Sequence, residues 1–154
     1  MIIIRVDDRL IHGQVVENWI PTYSITDVIV VNDEISSDEL RKNIMRFSTP
    51  DDVNIYFINV SDLRNLNFSN EKNYLILFEN IFDIERAIEN NFKMDEINIG
   101  GIHYAKGRNF SFGKVMFLSD EEKDILRKIS STGINVYFQP IPQEKKIKVM
   151  EIIG

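Results

Sequence analysis

The sequence predicts an open α/β fold in which a mainly parallel sheet carries helices on both faces, within a single domain spanning residues 1–154. Short, almost wholly apolar runs recur along the chain, the pattern of strands covered on both sides. Segments with helical spacing and capping signals lie between them. No linker rich in Ser, Gly or Pro, no repeat and no low-complexity tract divides the series, and 154 residues suit one core.

The first strand is "IIIRV" (2 to 6). Val15 with Trp19 and Val16 with Ile20 then recur four apart, which predicts a helix from about Gln14 until Pro21 stops it. "DVIVVN" (27 to 32) is the second strand. In "SSDELRKNIMRF", Ser36 and Glu39 form a capping box, and Leu40, Ile44 and Phe47 make one apolar stripe. "VNIYFINV" (53 to 60) is followed by Ser61 and by Asp62 in the first turn of a helix. After "YLILF" (74 to 78), Ile81, Ile84 and Ile88 share a helical face, and "INIG" (97 to 100) follows as a strand. "GGIHYAKGRNFSFG" has four glycines in fourteen residues and reads as a loop or a hairpin. "KVMFL" (114 to 118) is a strand. "SDEEKDILRKISSTG" is a helix capped by Ser119 and Glu122 that ends at Gly133. "INVYFQ" (134 to 139) is the last strand, and "QEKKIKVMEII" puts Ile147 and Met150 together on a final helix.

Composition narrows the function. A net charge of −6 without a basic patch argues against nucleic acid as a partner, because the three lysines of "QEKKIKVME" alternate with glutamates as on a solvated helix face. The absence of cysteine excludes disulfides, thiolate zinc sites and a cysteine nucleophile, and suits a reducing cytoplasm. The apolar start of the chain is too short for a signal peptide or a membrane span, so a soluble protein is expected.

The chemistry concentrates in "DDRLIHG", the loop between the first strand and the first helix, where ligands of open α/β sheets usually bind. His12 would stand just before a helix N-terminus, whose free N–H groups and dipole favour an anion. Gly13 lets a ligand approach the backbone, and Arg9 supplies a planar fork for phosphate oxygens. A neutral imidazole is a good nucleophile near neutrality, so His12 can carry a phosphoryl group, with a carboxylate of Asp7 or Asp8 holding the other ring nitrogen. The same residues can also be a capping histidine and surface ion pairs, and residue types alone leave the two readings about even. Neither a G-x-x-x-x-G-K-[ST] nor a G-x-G-x-x-G loop is present, His103 has no partner at metal-ligand spacing, and the acidic pair lacks the later aspartate of a receiver domain.

"RVDDRLIHGQV", "IVVNDEISSDELRK", "LILFEN", "INIGGIHYAKGR" and "GINVYFQPIP" resemble, in order and over nearly the whole chain, the IIB component of the mannose/fructose/sorbose family of sugar phosphotransferase systems. The resemblance implies an α/β fold with a mainly parallel core. It implies that His12 accepts a phosphoryl group from a phosphohistidine of a IIA component and passes it to a sugar carried by the membrane components IIC and IID, with Arg9 stabilising the phosphate. No nucleotide, metal or other cofactor is then needed. The donor would be a separate polypeptide, and the subunit would be cytoplasmic and held at the membrane through IIC and IID. "TPDDV" replaces a Pro-Gly turn frequent in relatives. The sugar and the oligomeric state are not legible. The competing class is a non-catalytic regulatory or sugar-binding module on the same fold.

Further candidates have two readings each. Gly13 and Gln14, with Gly100 and Gly101, are candidate phosphate-binding positions, though turns needing positive φ would equally explain Gly100 and Gly101. His103, Lys106 and Arg108 form either a cationic rim for an incoming phosphoprotein or solvated loop charges. Leu10 and Ile11 belong to a docking surface or to the core. Asn32, Asp33 and Glu34 approach the crevice or start a helix.

Overall fold

A computed structural model describes all 154 residues. Strand β1 (Ile2–Asp7) lies in the middle of a seven-stranded sheet with β2 (Asp27–Val31), β3 (Asn54–Ile58), β4 (Tyr74–Phe78), β5 (Glu96–Gly101), β8 (Asn135–Phe138) and β9 (Ile147–Lys148). The order is β3-β2-β4-β1-β5-β8-β9, parallel throughout except that β9 runs against β8. The chain leaves β1 towards β2 and leaves β5 towards β8, so the loops after these neighbours diverge and open a crevice at their carboxyl ends.

Alternation along the strands divides the core into two layers. Ile4, Val6, Ile29, Val31, Ile76 and Phe78 face one side, with helices α4 (Ile81–Glu89) and α5 (Asp120–Ser131) among the elements that cover it. Val28, Val30, Leu75 and Leu77 face the other, against Val15, Trp19 and Ile20 of the first helix. Arg5 and Asp7, two apart on β1, therefore point to the side of that helix.

Several helix signals act as expected. Ser119 and Glu122 form a reciprocal capping box, Gly133 adopts φ +97°, and Val60–Asn65 is a 3-10 helix containing Ser61 and Asp62. Other elements differ from the sequence reading. The first helix does not stop at Pro21: a π-helical turn, Val15–Trp19, continues into α1 (Ile20–Thr22), where Pro21 sits in the first turn and needs no N–H. Ser36 caps nothing, because Asn32 caps a short α2 (Asp33–Ser36) and Asp38 caps α3 (Glu39–Ser48). The stripe on α3 is outward, with Leu40, Ile44 and Phe47 exposed by 72%, 57% and 92%. No element passes over that face; α3 rests instead through Lys42 and Arg46 on the ring of Phe57 in the edge strand β3.

"KVMFL" supplies β7 (Met116–Leu118), which pairs antiparallel with β6 (Phe110–Phe112) outside the main sheet, so the glycine-rich segment ends in a hairpin. The final segment is not one helix. The Gln139 side chain donates to Pro142 O and Glu144 O and gathers a turn, Ile147 joins β9 on the open edge of β8, and only α6 (Val149–Ile153) is helical. No helix is long and apolar enough to cross a membrane.

Gly100 has a packing role that can be tested by substitution. A Cβ on it would stand 2.0 Å from Arg5 Cζ, in a place where the guanidinium is fully buried and cannot swing away. Gly100→Ala is expected to destabilise the fold by about 3 kcal/mol or more. Gly13→Ala, where a methyl meets nothing within 4 Å, should be neutral or stabilising by up to about 1 kcal/mol. Urea unfolding of the two variants beside the parent checks both.

Candidate functional site

The site is assembled from the buried end of β1 outward. Arg5 is completely buried and donates from Nη1 to Asn98 Oδ1 (2.7 Å) and Gln139 O (3.2 Å), and from Nη2 to Asp7 Oδ2 (2.9 Å) and Pro140 O (2.9 Å). Its guanidinium lies 4.6 Å from the centre of the Trp19 ring, whose Nε1 also donates to Pro140 O at 2.9 Å. Asp7, 1% exposed, passes this order on to His12, whose Nε2 stands 2.8 Å from Asp7 Oδ2. Burial works to raise the Asp7 carboxyl, but the His12 hydrogen bond and the Arg5 charge together outweigh it and hold the group below the ordinary carboxylate value. An ionised carboxylate can only accept, so Nε2 carries the proton and donates. Nδ1 is left with no protein partner, on a ring whose side chain is 13% exposed.

The loop around this pair is tightly constrained. Asp7 Oδ1 accepts the Arg9 N–H at 3.0 Å, and Asp7 O accepts the Leu10 N–H at 3.0 Å. Leu10 takes φ +54°, unfavourable for a side chain with a Cβ, and is held there by complete burial in the core layer that also contains Ile11. Leu10 and Ile11 are thus anchors rather than a docking surface. Arg9 is exposed and its guanidinium forms no hydrogen bond or salt bridge within the protein. His12 O accepts the Val16 N–H at 3.0 Å, which places His12 at the cap of the helix; Gly13 is exposed and Gln14, half-buried, is already helical.

The second aspartate serves a different ring. Asp8 does not touch His12; it accepts the His103 N–H at 2.7 Å and pairs with His103 Nδ1 at 2.6 Å. The backbone is the reason: Asp8 lies in the turn just past β1, with its N–H bonded to Gly101 O two residues before His103. Arg108 is no free rim cation, being bound to both oxygens of Glu122 at 3.0 and 3.2 Å and to His103 O at 2.7 Å, while Lys106 is exposed. Gly100 and Gly101 lie in β5 without positive φ, so turn geometry does not explain them. Gly100 makes room for Arg5, and Gly101 O accepts the Asp8 N–H at 3.0 Å. Asn32, Asp33 and Glu34 line a separate polar cleft with Glu79, Asn80, Asp83 and Arg86, in which Asp33 pairs with Arg86 at 2.9 Å.

Arg5, Asn98, Trp19 and the Gln139–Pro140 carbonyls, which support the Asp7–His12 pair, are not singled out by the sequence reading. Their signal was present: an arginine inside an otherwise apolar central strand, two residues before an aspartate, has to find partners. No group of three or more His, Cys, Asp or Glu side chains is placed to hold a metal ion.

The family model described as "PTS system sorbose subfamily IIB component" matches residues 1–154. The mannose-specific EIIAB component of Escherichia coli (strain K12) is 31% identical over 97% of this chain and 47% of that protein, so the chain spans about half the length of this relative. The fructose-specific EIIB component of Bacillus subtilis (strain 168) is 26% identical over 99% of this chain and 95% of that one. The crystal structure of manxB from Thermoanaerobacter tengcongensis, 28% identical, superposes with a TM-score of 0.89 over 99% of this chain and 95% of its own. The IIBSor domain of the Klebsiella pneumoniae sorbose permease, 22% identical, has the same fold with a TM-score of 0.88 over 99% of this chain and 96% of its own. The chain belongs to the sorbose-subfamily IIB components of the phosphotransferase system.

Proposed function

We propose that this chain is a phosphoryl carrier working through Nδ1 of His12, taking the group from a IIA component and delivering it to a sugar handled by membrane IIC and IID components. The observation that carries this reading is the Asp7–His12 pair: Nε2 is engaged at 2.8 Å, which fixes the tautomer and leaves the Nδ1 lone pair free. In the forward step that lone pair attacks phosphorus, a new N–P bond forms, and the N–P bond to the donor imidazole breaks with its electron pair returning to the donor nitrogen. Positive charge grows on the His12 ring as this happens, and the Asp7 carboxylate behind Nε2–H stabilises it. Arg9, with no protein partner for its guanidinium, is free to follow the phosphoryl oxygens. Gly13, Gln14 and the first turn of the helix complete the phosphate side, whereas Gly100 and Gly101 support the site from behind. Residues 1–154 act as one unit in the cytoplasm, docking reversibly at the membrane. Mannose, fructose, sorbose and amino sugars all remain candidate acceptors.

Incubation with phosphoenolpyruvate, the general phosphotransferase proteins and a cognate IIA component should place one acid-labile, base-stable phosphate on His12, at Nδ1 by nitrogen–phosphorus NMR coupling. Persistent labelling of a folded His12→Ala variant would sink the assignment. Arg9→Lys should leave stability within about 0.5 kcal/mol and slow transfer roughly ten- to a hundredfold, because a point charge replaces a bidentate fork; single-turnover rates measure this. Asp7→Asn leaves Arg5 unpaired and should cost about 3–5 kcal/mol at pH 7. The folded Asp7 carboxyl lies below its unfolded value of about 3.9, so its stabilisation is present above that pH and is lost as pH falls through the folded value. Denaturant midpoints of parent and variant should therefore converge as pH falls below about 4.

A further inference from the structure

The loop holds two aspartates and each grips a histidine, although the proposed function uses only one. His103 is fixed from three directions: Asp8 accepts its backbone N–H at 2.7 Å, Asp8 meets its ring Nδ1 at 2.6 Å, and Arg108 donates to its carbonyl at 2.7 Å. Arg108 is itself held by both oxygens of Glu122, which is 2% exposed in the capping box of α5. This apparatus does not bury the ring. The His103 side chain is 37% exposed, and Nε2 has no protein partner.

The ring also stands beside the centre of the site. The pairing of β1 with β5 shifts between Val6 and Asp7, so that Asp7 is opposite Gly101, two residues before His103. A methyl on Gly101 would meet the His103 ring at 3.5 Å and Asp7 Oδ1 at 3.6 Å. Asp7 Oδ2 meanwhile holds His12. With Nδ1 engaged by Asp8, Nε2 is the ring position left for a ligand, and in the doubly protonated ring it is a donor.

We propose that His103, positioned by Asp8, is a second imidazole of the transfer site whose Nε2–H donates to the phosphoryl group carried by His12. This rests on the phosphocarrier reading and extends it: Arg9 supplies an exposed cation, and His103 supplies a donor held by Asp8 just beyond the end of β5. A fixed donor contributes to the transition state without reorganising.

Two amide substitutions separate this role from a structural one. The amide of His103→Asn overlays Nδ1 and keeps the link to Asp8; that of His103→Gln overlays Nε2 and keeps the donor to phosphate. With the cognate phospho-IIA component as donor, His103→Asn should slow transfer onto His12 about tenfold or more, whereas His103→Gln should recover most of the rate. A parent-like rate in His103→Asn, or a His103→Gln variant no faster than His103→Asn, overturns the proposal while leaving phospho-His12 intact. Failure of the parent protein itself to take phosphate on His12 in the same assay would overturn the phosphocarrier reading as well.

Discussion

The buried cation of Arg5 is the constraint on which the site depends. A guanidinium removed from water in the centre of a parallel sheet is expensive, and its attraction to one carboxylate rarely repays the loss. The fold therefore surrounds it: Asn98 from β5, two carbonyls after β8, the face of Trp19, and a slot that exists because residue 100 has no side chain. Even so, Nε remains without a partner. Such an arrangement is a poor source of stability and a good source of position. Asp7 cannot move without uncovering the charge beneath it, and His12 cannot rotate without leaving Asp7.

The loop above adds a second layer of constraint. Leu10 occupies a left-handed conformation that costs a side-chain-bearing residue about 1–2 kcal/mol, and its burial in the core holds it there. This turn lets the Asp7 carboxylate accept from both the Arg9 backbone and the His12 ring while the Arg9 side chain projects outward. A fixed imidazole and an exposed cation thus come from positions three apart, which suits the phosphoryl carriage proposed for this site. The π-helical turn that follows is part of the same solution. It ends at Trp19, where the indole covers Arg5 and donates to Pro140 O, tying the first helix to the segment after β8.

Much of the layout was legible in residue order. Apolar runs, capping boxes and the absence of linkers depend on local propensity and on what a strand or helix must bury, so they predict an open α/β sheet and place "DDRLIHG" at its carboxyl edge. The residue types of that loop made phosphoryl chemistry one of two readings, since a capping histidine with surface ion pairs fits them about as well. For other elements the type was legible but the setting, which neighbours decide, was not. The Leu40, Ile44 and Phe47 stripe has helical spacing but nothing to bury it, and "KVMFL" has strand character but pairs outside the sheet.

The sequence by itself determined the strand-and-helix alternation, the position of the histidine loop and the family to which the chain belongs. The tertiary structure alone decided which aspartate serves which histidine, and that the support beneath them is Arg5. Asp7 and Asp8 are chemically identical and adjacent, and only the backbone where β1 gives way to the loop sends one to His12 and the other to His103. Arg5, Asn98, Gly100 and Pro140 meet because β1, β5 and the end of β8 are neighbours in the sheet, although up to 135 positions separate them in the chain. Local rules carry no information about such distant partners, whose identity is set by the burial of one charge that all of them must satisfy.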